Sequence, residues 1–392
     1  MQTLQTTSNE MLSRVDTKFI RYMYDRVEWD TELNMILGAR GVGKTTMMLQ
    51  HIVLQREQGA SLYVLADNPY FTTHTLYDTA YEFVKQGGKH LYIDEVHKYP
   101  GWSREVKMMY DILRHDLQVT VSGSSMIDMI RGLEVDLSRR ALAYRMEGLS
   151  FREYLCMSKK IKMEPYPLEA VLGGQAFLPH DLGRPLPLFD EYLRRGYYPF
   201  FDSKHFLDRF NNVVLQTLEV DIPRQTNMSL ATALKLKKLM AVVAQSTPFK
   251  PNFSNLGRTL EMNRTNVADL MAYMERAGLL RQLREDNDIM DQFAKVEKVY
   301  LANTNLCYAL CDREPDRGTL RETFFFSQMA VDHRVAASPV ADFIVDGHTF
   351  EVGGRNKKKR QIADVQDAFV VKDDIEYAYQ NIIPLWMFGL TY

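Results

Sequence analysis

The chain has 392 residues, 46% of them hydrophobic and 25% charged, with a formal net charge of -2. That balance is ordinary for a soluble globular protein, and the length suits two to four domains of roughly 100 to 200 residues each. It excludes a global attraction to nucleic acid, so any such binding has to be local.

No apolar run approaches the roughly 18 residues a bilayer span needs. The opening Met1-Gln-Thr-Leu-Gln-Thr-Thr7 lacks the charged and apolar regions of a signal peptide. The expectation is a cytoplasmic protein with no membrane partner. Of the three cysteines, Cys307 and Cys311 lie four apart in the apolar stretch 305–311, a helical spacing that reads as two buried small hydrophobes rather than a zinc site. The histidines show no metal-ligand spacing, and no internal repeat is present.

In chain order, Leu33-Asn-Met-Ile-Leu37 reads as a buried strand and 45–55 as a helix. Between them stands Gly38-Ala39-Arg40-Gly41-Val42-Gly43-Lys44-Thr45, a complete G-x-x-x-x-G-K-[ST] loop in its required strand-loop-helix context. The glycines open backbone conformations closed to other residues, so that successive N–H groups and the helix N-terminus can surround a phosphate. Lys44 would reach the β- and γ-phosphates, the Thr45 hydroxyl would sit on Mg²⁺, and Thr46 completes the helix start. ATP and Mg²⁺ are therefore the expected cofactors.

Apolar strands then alternate with helices: strands at 61–66, 90–94 and 118–122, helices near 73–85 and 103–115. This pattern predicts an α/β fold with a parallel sheet covered on both faces. The strand Leu91-Tyr-Ile-Asp94 ends in adjacent carboxylates. Asp94 is placed to hold Mg²⁺ through the ion's outer shell and Glu95 to polarise the attacking water, which points to hydrolysis. Ser122-Gly-Ser-Ser125 follows the next strand, and Ser122 and Ser124 are either sensors of the γ-phosphate or a plain serine-glycine turn. Arg139, Arg140 and Arg145 lie downstream, where one would serve as an arginine finger in cis or from a neighbouring subunit, unless they are surface cations.

These motifs resemble the bacterial and archaeal AAA+-type ATPases whose nucleotide domain precedes a winged helix and a restriction-endonuclease-like C-terminal domain. The resemblance rests on Gly38–Thr45, Ile93-Asp-Glu-Val-His97, Val121-Ser-Gly-Ser-Ser125, and Leu137-Ser-Arg-Arg140 leading to Gly148-Leu-Ser-Phe-Arg-Glu-Tyr154. It implies that Arg140 is the favoured arginine and that the ATPase core closes with this last phrase. The expected fold is an AAA+-like P-loop sheet over 1–155, a helical linker over 156–228, a winged helix over 229–290, and a small α+β nuclease-like domain over 291–392.

Residues 156–200 are rich in proline and glycine and read as a long connection with short helices. Within it, Tyr192-Leu-Arg-Arg-Gly-Tyr-Tyr-Pro199 resembles a linker phrase of the family, with no evident chemistry. From Leu230 to Gln245 an amphipathic helix is expected, then helices through 252–260 and 264–277 and a strand at 278–283. Arg264, Thr265 and Asn266 occupy the place of a recognition helix, although Asp269 and Glu275 interrupt any basic stripe. DNA contact and internal packing both fit this pattern. The last hundred residues carry Glu322, Asp342 and Glu351, whose order resembles a PD-(D/E)XK nuclease site. The position two residues after Glu351 is Gly353 rather than lysine, so the expected cation is missing. The run Arg355-Asn-Lys-Lys-Lys-Arg360 follows, as a migrated lysine or as a basic loop.

Three outputs fit this sequence: an ATPase that couples hydrolysis to conformational change of the C-terminal domains, an ATP-gated DNA-binding protein or nuclease, and a slow signalling or assembly switch with protein partners. A trans-acting arginine would require a homo-oligomer.

Overall fold

The computed structural model describes residues 1–56, 58–124, 126–286, 295–311, 313–355, 357, 362 and 364–392. Its contacts divide the chain into two units, Met1–Gly148 and Leu149–Tyr392. No helix among the described residues is long and apolar enough to cross a membrane.

The first unit is built on five strands: β1 (Leu33–Leu37), β2 (Ser61–Leu65), β3 (His90–Asp94), β4 (Gln118–Gly123) and β5 (Leu142–Arg145). All neighbouring pairs are parallel, in the order β2-β3-β4-β1-β5. Every residue of β1 is buried, as are all but one of β2, β3 and β4 in turn. Burial of successive residues, which point to opposite faces, means that both faces are covered. The helices Leu76–Lys85 and Trp102–Leu113 pack on the face that carries Met35, Val64 and Ile93, and His51 of the helix Lys44–Gln55 lies against Tyr92 of β3 with ring centroids 6.2 Å apart. The helix Trp102–Leu113 buries Trp102, Val106, Met109 and Leu113, the spacing of one helical stripe.

Two elements of this unit go beyond the sequence reading. A helix over Gln2–Leu12 buries Leu4 and Leu12, and its Ser8 Oγ accepts the Tyr63 N–H on edge strand β2 at 3.1 Å. This gives a partner to a backbone donor at the sheet margin. At the other margin β5 is short, with Leu142, Ala143 and Arg145 exposed. Because β4 lies between β1 and β3, the phosphate loop, the end of β4 and the Asp94–Glu95 pair share one edge of the sheet.

The second unit begins with the helix Phe151–Lys159, opened by a capping box between Ser150 and Glu153. This helix also packs with the chain end: Ser150 Oγ and Arg152 Nε donate to the Tyr392 carbonyl at 2.5 and 2.8 Å. The phrase Tyr192–Pro199 gains a physical role here. Tyr192 Oη donates to Leu149 O at 2.7 Å, Leu149 N–H donates to Tyr197 O at 2.7 Å, and the Tyr192 ring lies 5.5 Å from Phe151. The two family-like phrases are therefore one packing unit.

Helices Leu230–Ser246, Phe253–Leu260 and Arg264–Arg276 follow, then the antiparallel hairpin β6 (Leu280–Arg284) and β7 (Val296–Leu301), with Phe249 bridging to Val299. The last element group is the helix Arg317–Met329 and a five-stranded sheet of β8 (Val335–Ala337), β9 (Phe343–Val345), β10 (His348–Gly353), β11 (Ala368–Lys372) and β12 (Ile382–Pro384). Strands β8, β9 and β10 run antiparallel, and β10, β11 and β12 parallel. Phe325 of the helix packs on Phe343 and Phe350 at 5.2 and 5.1 Å. Cys307 is buried, and burial pushes its thiol up to about 12, which suits an inert core residue. Cys311 is only half-buried.

Candidate functional site

The loop after β1 has the backbone its glycines permit: Gly41 and Gly43 stand at φ 85° and 105°, in the left-handed region that a Cβ disfavours. Gly38 is needed for a different reason. A Cβ there would lie 2.4 Å from the Met146 carbonyl oxygen, so the strand end can approach residue 146 only without a side chain. Val42 is buried, Ala39 and Arg40 are half-buried, and Thr46 is exposed on the first helical turn. The Lys44 ammonium donates to Gly38 O at 2.8 Å and Ala39 O at 3.0 Å, so the loop closes around its own cation. Burial pulls Lys44 down from 10.5 to about 8, against the opposing pull of Glu95 and Asp94.

Asp94, 1% exposed, is where the elements converge. Its Oδ2 accepts from Thr45 Oγ1 at 2.5 Å and Tyr63 Oη at 2.7 Å; its Oδ1 accepts from Ser122 Oγ and from the Glu95 N–H. Burying a carboxylate is tolerable only with such partners. Hydroxyl and carboxylate oxygens meeting beside a phosphate loop are hard donors of the kind that hold Mg²⁺. Thr45 and Asp94 are the residues that fit it.

Glu95 carries the strain of this edge, at φ 52° for a non-glycine residue. Its Oε2 accepts from Ser124 Oγ at 2.8 Å and lies 3.4 Å from His97 Nε2. The two serines anticipated near the γ-phosphate thus each hold one member of the acidic pair, and Ser125 lies outside the described residues. Tyr63 was missed by sequence reasoning. Its hydroxyl is pushed far above the usual phenol value by burial and then by Asp94, so it stays a donor. The local signal was a tyrosine between the leucine and valine of a buried strand. Arg140 pairs with Asp111 at 2.8 Å through Nε, and Arg145 with Glu147 at 2.8 Å; Arg139 is exposed.

In the second unit Glu322, Asp342 and Glu351 are brought together with two lysines. Lys298 Nζ of β7 lies 3.1 Å from both Glu322 Oε2 and Asp342 Oδ1. Burial works against the charge of Lys298, but the two carboxylates outweigh it and hold its pKa up. Tyr300 Oη donates to Glu322 at 2.7 Å, and Val352 N–H to Asp342 Oδ2 at 2.9 Å. Lys357 pairs with the buried Glu351. The stem of Lys357 also fills the place of the missing side chain: a Cβ on Gly353 would lie 2.6 Å from Lys357 Cγ. Of the basic run, Asn356, Lys358, Lys359 and Arg360 lie outside the described residues. Among the described residues no group of three acidic, histidine or cysteine side chains is arranged to hold a metal ion. Asp342 and Lys298 open on a cavity of about 670 Å³ also lined by Lys250, Glu285, Asp286 and Glu297, a lining more acidic than basic.

Arg264, Thr265 and Asn266 are exposed at the start of their helix. Glu275 is not on a competing face. It accepts from Gln282 N–H at 2.8 Å and pairs with Arg284 at 2.6 Å, which ties the helix to the hairpin. Asp269 is exposed.

Residues 30–155 match a family model described as an AAA domain, and residues 186–317 match a domain of unknown function. An uncharacterized protein of Methanocaldococcus jannaschii is 24% identical over 319 residues, covering 74% of this chain; the match spans 65% of that relative's length. The Walker-type ATPase of Pyrococcus abyssi superposes with a TM-score of 0.45 at 11% identity, over 76% of this chain and 99% of that one. AMPPCP-bound DnaA from Aquifex aeolicus gives 0.30 at 13% identity, over 69% and 86%. By the family match, residues 30–155 are similar to AAA domains, which together with the Gly38–Thr45 loop supports nucleotide binding.

Proposed function

We propose that the protein is a Mg²⁺-dependent ATPase whose cycle drives conformational change in its C-terminal half. The observation that carries this reading is the meeting of Thr45 and Asp94 at 2.5 Å, with Lys44 held in the loop and Glu95 next to Asp94. The loop N–H groups and Lys44 bind the polyphosphate, with Gly38, Ala39, Arg40, Gly41, Val42, Gly43, Thr45 and Thr46 forming its cradle. Thr45 and Asp94 would hold Mg²⁺, which would supply positive charge against the polyphosphate. Glu95 takes a proton from the water that attacks the γ-phosphorus as the bond to the ADP oxygen breaks. Ser124 orients its carboxylate. Arg140, freed from Asp111, is the candidate for transition-state charge, in cis or across a homo-oligomer.

ATP turnover by the wild type and by Lys44→Ala, with and without DNA, tests this reading. Turnover in the wild type only is expected. Glu95→Gln should keep nucleotide binding and lose at least about 100-fold in turnover. Absence of wild-type binding and turnover with Mg²⁺ would refute the proposal.

A second reading, an ATP-gated DNA-binding protein, rests on exposed Arg264, Thr265 and Asn266 at a helix start within a helix-helix-hairpin order that suits a winged helix. Its DNA affinity should fall steeply with salt. In the nuclease-like segment, the lysine-paired carboxylates and the acidic cavity favour a packing or recognition role over strand cleavage. A switch that binds protein partners would instead show turnover indifferent to DNA.

A further inference from the structure

Arg21 lies in the segment between the N-terminal helix and β1, and it is 4% exposed. A guanidinium is buried this deeply only where its donors are used. One terminal nitrogen donates to the Val42 carbonyl inside the phosphate loop. The other donates to the carbonyls of Glu147 and Gly148, both at 2.9 Å. Beside it, Tyr22 Oη accepts the Glu147 N–H at 3.2 Å, and Gln50 Nε2 donates to Asp16 O and Phe19 O at 2.7 and 2.9 Å. Residues 16–22 are therefore strapped to the loop's own helix on one side and to residues 147–148 on the other.

We propose that Arg21 is a positioning residue for the phosphate loop: by gripping the Val42 carbonyl it aims and polarises the Gly43 N–H toward the nucleotide phosphates. The reason is the planarity of the peptide. The Val42 carbonyl and the Gly43 N–H belong to one trans unit and point to opposite sides. A cation that holds the carbonyl on the back of the loop therefore fixes the direction of the donor on its front. It also withdraws electron density through the amide, which makes that N–H a stronger donor. Gly43 itself cannot supply this constraint, because glycine at φ 105° has the widest choice of backbone conformation. The same guanidinium ties the loop to residues 147–148, the last of the N-terminal unit, so a shift of the Val42 peptide on phosphate binding is passed to the point where the chain leaves that unit.

The inference rests on the reading of Gly38–Thr45 as a phosphate loop. The test is equilibrium binding of MgATP, MgADP and adenosine to the full chain as wild type, Lys44→Ala, Arg21→Met and Arg21→Lys, with thermal unfolding of each. Loss of a buried charged hydrogen-bond donor should weaken MgATP and MgADP about 10- to 100-fold in Arg21→Met, with adenosine affinity unchanged. Arg21→Lys keeps the charge but not the planar fork and should recover only part of the loss. A variant that unfolds earlier but binds MgATP as the wild type does would overturn the proposal and leave Arg21 a purely structural residue. Equal losses for adenosine and MgATP would overturn it too. If Lys44→Ala loses nucleotide while Arg21→Met does not, the Arg21 proposal fails and the loop reading stands. If the wild type binds no nucleotide, both fail.

Discussion

The protonation of Lys44 makes a quantitative prediction for nucleotide binding. Only its ammonium form pairs with phosphate, and burial places its pKa at about 8 in the free protein. The charged fraction is then about nine in ten at pH 7, half at pH 8, and about three in a hundred at pH 9.5. A bound polyphosphate brings negative charge to the ammonium and raises its pKa, so binding at higher pH must import a proton. MgATP affinity should fall about 30-fold between pH 7 and pH 9.5, or about 2 kcal/mol. The last proton of a phosphate monoester leaves near pH 6, about one unit below the start of this window. Titration calorimetry in two buffers of different ionisation enthalpy should register uptake of about half a proton at pH 8. Lys44→Arg should bind with an affinity nearly flat over the same range, because its charge does not titrate there. The free protein should show the opposite trend in stability. Between about 8 and 10.5 the unfolded chain keeps a proton that the folded one has released, so this group's contribution rises with pH. An unchanged Kd from pH 7 to pH 9.5, with no proton uptake at pH 8, would refute the reasoning.

Tyr63→Phe removes one of two hydroxyl donors on Asp94 Oδ2 and should cost about 1.5–3 kcal/mol in urea unfolding. It should also raise the Mg²⁺ concentration needed to retain MgATP. A variant as stable as the wild type would show that Thr45, Ser122 and the Glu95 N–H satisfy the carboxylate without Tyr63. Gly38→Ala should abolish tight nucleotide binding, since its Cβ would meet the Met146 carbonyl at 2.4 Å and push the loop off the strand end; normal MgATP binding would refute this. Asp342→Ala removes a partner of Lys298 and should lower stability without affecting DNA integrity in Mg²⁺ or Mn²⁺. Divalent-dependent cutting by the wild type that disappears in Asp342→Ala would instead establish a nuclease.

The acidic pair is held by protein donors on every side that the structure describes. Glu95 is held by Ser124 and lies close to His97, and Asp94 is fully occupied by hydroxyl and N–H donors. In the proposed cycle Asp94 would exchange a hydroxyl donor for Mg²⁺, while Ser124 stays on Glu95.

What was legible in the sequence is what local backbone chemistry demands. Gly38–Thr45 is contiguous, and Gly41 and Gly43 are required by the turn itself, so the loop and the helix Lys44–Gln55 could be read directly from the motif. The strand ending at Asp94 was equally local, and buried parallel strands announced the sheet through apolar runs. β5 escaped because it is a short, exposed edge strand whose pairing with β1 is decided by the sheet. The tertiary structure alone decided which side chains meet. Tyr63, Thr45 and Ser122 reach Asp94 from three other places in the chain because strand order and register align them, and neither is encoded in any one segment. Arg21 binds carbonyls 21 and 126 residues away, a contact with no sequence signature, since any residue offers a carbonyl. Lys298 and Lys357 likewise replaced the expected lysine at position 353 as partners of the C-terminal carboxylates, because a flexible four-carbon stem can bring an ammonium to a site from more than one backbone position.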